Sequence, residues 1–380
     1  MHIEQMHWNS ASGWVPLPPE GTIDTAQLVL VFGSRALLMQ PSLRQQIRAW
    51  YPAATLVGCS TAGEIYDTQV LDDSLVVTAI QFSSSRVASA MVPIEHVGQS
   101  HDAGAQLAQQ LPPDDLAHVL VFSEGLHVNG SELVHGLIEN LPPHVRVTGG
   151  LSADGPHFNQ TCVLYNEIAS PDIVVAVGLY GQQLQVGYGS MGGWDSFGPE
   201  RLVTRAEANV LYELDGTSAL ALYKRYLGEH AADLPASGLL FPLSISPGPG
   251  EPSIVRTILA VNEADQSITF AGDIPEGAYA RLMRANFDRL IDGAIGAASS
   301  SVQRIGDFTA ELALLISCVG RKLVLQQRIE EEVEGVRETL GAQPVLTGFY
   351  SYGEISLLEA TGDCALHNQT MTITLLSEAP

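Results

Sequence analysis

Apolar residues in this chain gather into short continuous runs more often than they alternate with polar ones, a pattern expected of strands buried on both faces. Ala26-Gln27-Leu28-Val29-Leu30-Val31-Phe32 is the first such run, closed by Gly33-Ser34-Arg35. A helical segment follows from Ser42 to Trp50, then a run from Thr55 into Gly58-Cys59-Ser60-Thr61-Ala62-Gly63-Glu64-Ile65, and after a turn a strand from Ser74 to Phe82. The same order returns with His118 to Phe122, a helix from Ser131 to Asn140, Val147-Thr148-Gly149-Gly150-Leu151-Ser152-Ala153-Asp154 and a closing strand from Asp172 to Tyr180. It returns again with Leu312 to Ile316, an acidic helix from Ile329 to Leu340, Thr347-Gly348-Phe349-Tyr350-Ser351 and a strand from Thr370 to Leu376. Strand, helix and strand in that order make a right-handed parallel crossover. The chain therefore predicts an α/β fold of repeated strand-helix-strand units with mixed sheets.

Between the second and third units glycine and proline are commoner and the strands alternate: Gly187 to Trp194, Leu239 to Ile245 and Ser253 to Val261. Two helices are expected here. One runs from Ala219 to Leu227, with Ser218 as cap and Gly228 as stop; the other runs from Tyr279 to Ala294 behind Pro275. Three prolines make Ser246 to Pro252 a surface loop. The composition shift divides the chain into residues 1–190 and 191–380.

Composition then narrows the partners. With 46% apolar residues the chain can bury an ordinary core, while 18 basic against 42 acidic side chains give a net charge of −24. Such a surface repels phosphate backbones and anionic lipid, so neither nucleic acid nor a membrane is an expected partner. Only Lys224 and Lys322 are lysines, and there is no phosphate-binding glycine-lysine loop. Cys59, Cys162, Cys318 and Cys364 form no paired-cysteine motif and read as free thiols in a reducing compartment. The first residues lack the basic and apolar regions of a signal peptide, and a cytoplasmic location is expected.

Ligands of open α/β sheets bind beyond the carboxyl ends of the strands. Those ends carry Arg35, Cys59, Ser60 and Thr61 in the first unit, and Glu124, His127 and Asp154 in the second. In the third they carry Cys318, Arg321, Tyr350, Ser351 and Glu354. A glycine followed three positions later by a hydroxyl occurs in every unit, as Gly58 with Thr61, Gly149 with Ser152 and Gly348 with Ser351. A feature needed three times reads as a turn requirement, the hydroxyl bonding its own turn. Residues particular to one unit are the better ligand contacts. Cys59 could act as a nucleophile with Glu64, Glu354 or Asp154 as base, but Phe349 replaces it in the third unit, which suits a small buried side chain. Cys318 takes the slot of Gly33 and Ser123, and Glu330-Glu331-Glu332 reads as a solvated helix face.

The Gly58-Cys59-Ser60-Thr61-Ala62-Gly63-Glu64-Ile65 phrase resembles the FIST family of bacterial sensory proteins. So do Asn209 to Gly216, Phe270 to Gly277, Ser317 to Arg321, Gly348 to Ile355 and Leu366-His367-Asn368-Gln369-Thr370. The resemblance implies an N-terminal FIST domain over 1–190 and a C-terminal one over 191–380. It also implies a small-ligand sensor without its own output domain, acting on a histidine kinase or a cyclic-di-GMP enzyme, with homo-oligomerisation left open. Haem-based nitric-oxide sensing is the most concrete function the resemblance implies, and an amino-acid sensor is the alternative. A subset of the family binds haem b and senses nitric oxide, and for that the axial candidates are His127, His157 and His367; His367 reads equally as a histidine bonding neighbouring backbone. No complete catalytic constellation is visible, so whether the chain is an enzyme, through Cys59, stays open beside the sensor reading.

Overall fold

Each repeated unit is built on a parallel pair of strands. In the computed structural model, which describes residues 1–17, 23–234, 236–357 and 362–379, these pairs are Leu28–Gly33 with Thr55–Ser60, Leu116–Ser123 with Arg146–Leu151, and Leu312–Cys318 with Val345–Ser351. The helices joining them are Pro41–Trp50, Gly130–Asn140 and Ile329–Leu340. Each closing strand, Leu75–Gln81, Ile173–Tyr180 or Met371–Glu378, returns antiparallel to the first. Outside it lies a strand that precedes the unit in sequence: His2–Asn9, Arg86–Pro93 or Leu184–Met191.

The sheets are mixed, as expected, and they are interlocked. The hairpin Glu64–Tyr66 and Gln69–Leu71 of the first unit completes the third unit's sheet on Val345–Ser351. Val163–Tyr165 and Ile168–Ser170 of the second complete the first on Thr55–Ser60. Gly353–Leu357 and Cys364–His367 of the third complete the second on Arg146–Leu151. The exchange thus runs in a closed ring through the chain. Inside the ring the three sheets face one apolar core, where the rings of Phe32, Phe122 and Phe349 lie 4.7 to 6.3 Å apart.

The same ring is written in the backbone of the three glycine turns. Ala153 N donates to Ser60 O at 2.8 Å, Ala62 N to Tyr350 O at 2.8 Å, and Tyr352 N to Leu151 O at 3.3 Å. In every case the fourth residue after the glycine donates to the second residue after the neighbouring glycine. The glycines themselves are needed for close approach: a Cβ would lie 1.7 Å from Val31 O at Gly58, 2.0 Å from Val121 O at Gly149 and 1.8 Å from Leu315 O at Gly348.

Residues 195–284 form an inserted β-region between the third unit's leading strand and the rest of that unit. Its strands, among them Asp195–Glu207, Val210–Leu214 and Tyr279–Arg284, enclose a core including Leu211, Tyr223 and Phe270. The helix Ala219–Leu227 has its expected Ser218 cap. The helix expected from Tyr279 is a strand, with Ala280 and Leu282 buried and Arg281 more exposed, and the helix starts only at Phe287–Ile305 behind the Asn286 cap. Alternation across Tyr279 to Leu282 outweighs the helical period there. Strands from both sides of residue 190 share sheets. Among the described residues no helix is long and apolar enough to cross a membrane.

Candidate functional site

Where the first unit's strands end, a cavity of about 880 Å³ opens between the three units. Its walls are Ser34 and Arg35 after the first strand, Thr61 to Glu64 from the glycine turn, Asp154 to Gln160 from the second unit, and Lys322 with Gln326 from the third. The equivalent crevice of the second unit, beside Gly125 and Leu126, is covered by Asn209, Leu259 and Phe270 of the inserted region and shrinks to about 80 Å³. The chain therefore keeps the first crevice and closes the second.

Charge in the open cavity is unevenly compensated. Lys322 Nζ donates to Ala62 O at 2.8 Å and pairs with Asp72. Asp154 Oδ2 accepts from Asn159 N at 3.0 Å and Gln160 N at 2.8 Å, and its Oδ1 accepts from the Tyr352 hydroxyl. Tyr352 also stacks on Phe158 at 4.2 Å, so the wall from residue 154 to 160 is fastened to the third unit's turn. Arg35, by contrast, makes no side-chain hydrogen bond or ion pair among the described residues, and its Nε is buried without a partner. Asp73 is exposed at the rim.

Glu64 forms the floor. It is buried and accepts from the hydroxyls of Thr61 and Ser74. Burial pushes its carboxyl up to about 7, against the pull of those two bonds and of Lys322. Glu354 repeats the arrangement in the third unit, accepting from Ser351 Oγ at 2.6 Å and from Thr370 Oγ1 at 2.9 Å, and burial raises it to about 8. The turn hydroxyls are thus structural, but Thr61 and Ser351 hold a carboxylate three residues ahead instead of only their own turn. In the second unit Gly155 takes the place of that carboxylate and Ser152 Oγ lacks a partner.

The other strand-end candidates lie elsewhere. Glu124 is buried beneath its own loop, accepting from Leu126 N at 2.8 Å, His127 N at 2.5 Å and Thr161 Oγ1 at 2.9 Å. Ser60 Oγ accepts from Cys162 N at 2.9 Å. Arg321 and Tyr350 meet around Glu332, not around a cavity: Arg321 Nη2 is 2.7 Å from Glu332 Oε2, and Tyr350 Oη donates to Oε1 at 2.8 Å, all fully buried. Glu332 therefore departs from the solvated face expected of it, because the guanidinium compensates its burial. The parallel register sets Ser317, not Cys318, at the level of Gly33 and Ser123. All four cysteines are free and buried, and burial raises the Cys59 and Cys318 thiols far from a reactive range.

The three histidines proposed for haem do not offer it a seat. His127 is 69% exposed beside Glu124. His157 is exposed on the open cavity, where charged and amide side chains predominate over apolar ones. His367 is buried with Nε2 3.2 Å from Ser356 O, and burial and Arg256 lower it to about 4. A porphyrin needs an apolar slot beside its axial ligand. What the sequence left out of the site are Lys322, Asp72 and Asp73, which reach it from a helix and from the turn after a hairpin whose place depends on the strand exchange.

Comparison with known proteins adds the following. A family model described as the FIST N domain matches residues 27–217, and one described as the FIST C domain matches residues 219–356. An uncharacterized protein of Methanocaldococcus jannaschii is 23% identical over 309 residues, 75% of this chain and 58% of its own, so this chain spans little more than half of that relative. A crystal structure of cyanuric acid hydrolase from A. caulinodans aligns over 100% of this chain and 99% of its own, with a TM-score of 0.40 and 8% identity.

Proposed function

This chain belongs to the FIST family, with an N-terminal and a C-terminal FIST domain, and from that premise we propose that it is a sensor of a small zwitterion, an amino acid, bound in the open cavity of the first unit. One observation carries the reading: Arg35 is an unpaired cation in a cavity whose other charges are carboxylates or already paired. A guanidinium recognises a carboxylate with two parallel hydrogen bonds. The α-carboxylate of the ligand would take Arg35, and its ammonium the Asp73 carboxylate exposed at the rim. The wall from Asp154 to Gln160 would close on the ligand and pass the change through Tyr352 to the third unit. Output then reaches a separate signalling enzyme, a histidine kinase or a cyclic-di-GMP enzyme, by differential affinity of the two states. Haem and nitric oxide are outside this reading, since His127, His157 and His367 do not fit an axial role.

The test is a thermal-shift screen of the full chain against the amino acids, followed by calorimetric titration of any that stabilise it. Arg35→Gln is expected to weaken binding by about tenfold or more, the worth of a charge-assisted pair, with an unchanged melting temperature in the absence of ligand. No binding amino acid, or unchanged affinity in Arg35→Gln, would overturn the proposal. So would a sharp Soret band on haemin addition that one of the three histidine-to-alanine variants abolishes.

A further inference from the structure

A second cavity, of about 570 Å³, lies where the inserted β-region meets the second unit, far in character from the polar one. Its walls are Ile245, Pro247, Ile254 and Pro275 from the insertion, with Ala365 and Leu366 from the exchanged strand Cys364–His367. A space of this size and lining suits a small apolar molecule. Three polar side chains in the wall are more than nine-tenths buried: Arg256, 6% exposed, Ser246, 7%, and Ser131, 8%.

Arg256 has no counter-ion in contact: the Asp273 carboxylate acts on it only from beyond ion-pair distance. Its Nη1 donates to Leu366 O at 2.8 Å and its Nε to Asp273 O at 3.3 Å, both backbone carbonyls. Among the described residues no carboxylate lies within ion-pair distance of it, and Nη2 has no hydrogen-bond partner. Burial lowers the group to about 10, which still leaves it charged at neutral pH. Ser131 stands in the first turn of Gly130–Asn140, and its Oγ also has no partner. Of the carboxylates that border the cavity, Asp273 Oδ1 accepts from Asn129 Nδ2 at 2.9 Å, and Glu276 is exposed on the rim. His135, at the mouth, lies beside Glu132. Leaving a buried guanidinium unpaired is costly, and an anionic acceptor brought in by a ligand would recover that cost.

We propose that this cavity is a second ligand site, which takes a small carboxylic acid with an apolar body, its carboxylate on Arg256 and its body against Ile245, Ile254 and Leu366. The ligand would touch the insertion and the second unit at once. It would therefore tighten the joint now made by the Arg256 to Leu366 and Asn129 to Asp273 bonds, giving the insertion a ligand-dependent grip on the core.

The experiment is calorimetric titration of the full chain with octanoate, octanol and octylamine, equal in body and different in head group. Octanoate is expected to bind saturably and at least tenfold more tightly than the other two. Ala365→Phe, which fills the cavity, is expected to abolish the binding. Arg256→Gln is expected to bring octanoate down to the level of octanol, and Arg256→Lys to retain part of the preference. Octanol binding as tightly as octanoate would overturn the assignment of the head group; absence of saturable octanoate binding, or binding indifferent to Ala365→Phe, would overturn the site.

Discussion

The Thr78 hydroxyl donates to Thr347 Oγ1 across 2.9 Å, joining the closing strand of the first unit to the parallel pair of the third. Thr374 and Thr148 meet in the same way at 2.8 Å between the third unit and the second. By register the third such place belongs to Val57 and Val177, which are buried and apolar. Two of the three seams between sheets are polar and one is not.

That asymmetry gives a double-mutant cycle. Thr78→Val or Thr347→Val alone strips one buried hydroxyl of its partner and is expected to cost about 1–2 kcal/mol. The double variant, which copies the Val57 and Val177 seam, is expected to cost less than the sum of the singles by about 1 kcal/mol. Urea melts of the four proteins measure the difference, and strict additivity would contradict the pairing.

The buried carboxyls predict the pH profile. Glu64 and Glu354 hold their protons in the fold up to about 7 and 8, whereas unfolded they release them near the ordinary glutamate value. The folded state then binds more protons than the unfolded one, so this contribution is full at low pH and is lost as pH rises through 7 and 8. Buried His118 and His367, lowered to about 3 and 4, act in the opposite sense, but only below the ordinary histidine value of 6.5. Above pH 6.5, where the histidines no longer oppose it, stability is therefore expected to fall until the pH has passed about 8, by at most about 1.4 kcal/mol per pH unit for each carboxyl still protonated in the fold. Glu64→Gln and Glu354→Gln should each flatten that slope in denaturant melts across the range.

Alanine at the turn glycines should be among the most damaging single changes. Gly348→Ala sets a methyl group 1.8 Å from Leu315 O, a backbone atom in the middle of a parallel pair that cannot swing aside. A loss of more than about 4 kcal/mol is expected, read as absence of a cooperative melt. Gly362→Ala tests the contrast: its Cβ meets nothing within 4 Å among the described residues, although its φ of 76° still carries a modest backbone cost.

The thiols should be silent. With all four cysteines buried, a thiol-reactive chromophore is expected to label none of them in the native protein within minutes and all of them in guanidinium. Rapid native labelling at Cys59 would revive a nucleophilic role for it.

Much of the framework could be read from the sequence because the parallel strands are continuous apolar runs and the repeats echo one another. Thr55 to Ser60 and Ile329 to Leu340 lie where their patterns place them. The helix expected at Tyr279 failed because the two-residue period of Tyr279 to Leu282 precedes the cap at Asn286. The site was harder. Arg35, Thr61, Asp154 and His157 do share a cavity, but Arg321 and Tyr350, equally prominent at strand ends, turn inward to Glu332. Nothing local distinguishes a guanidinium that finds a buried carboxylate from one that finds none. That choice is made by residues that are distant in sequence, and so it is Gly63 packed against Lys322 and the Glu64 to Leu71 hairpin laid on Val345 to Ser351 that complete the cavity.

That hairpin also sets a timetable for the growing chain. As a ribosome delivers the protein from its N-terminus, the Glu64–Leu71 segment emerges long before residue 345 exists, and the first sheet must wait for residues 163–170 to cover its own edge. The early product carries an open strand edge and an unpaired hairpin, the kind of surface that invites pairing with another chain. Only when the last unit leaves the exit tunnel can the first be finished. A nascent chain stalled at residue 340 should accordingly be cut by protease at the Glu64–Leu71 hairpin, whereas the released protein should not.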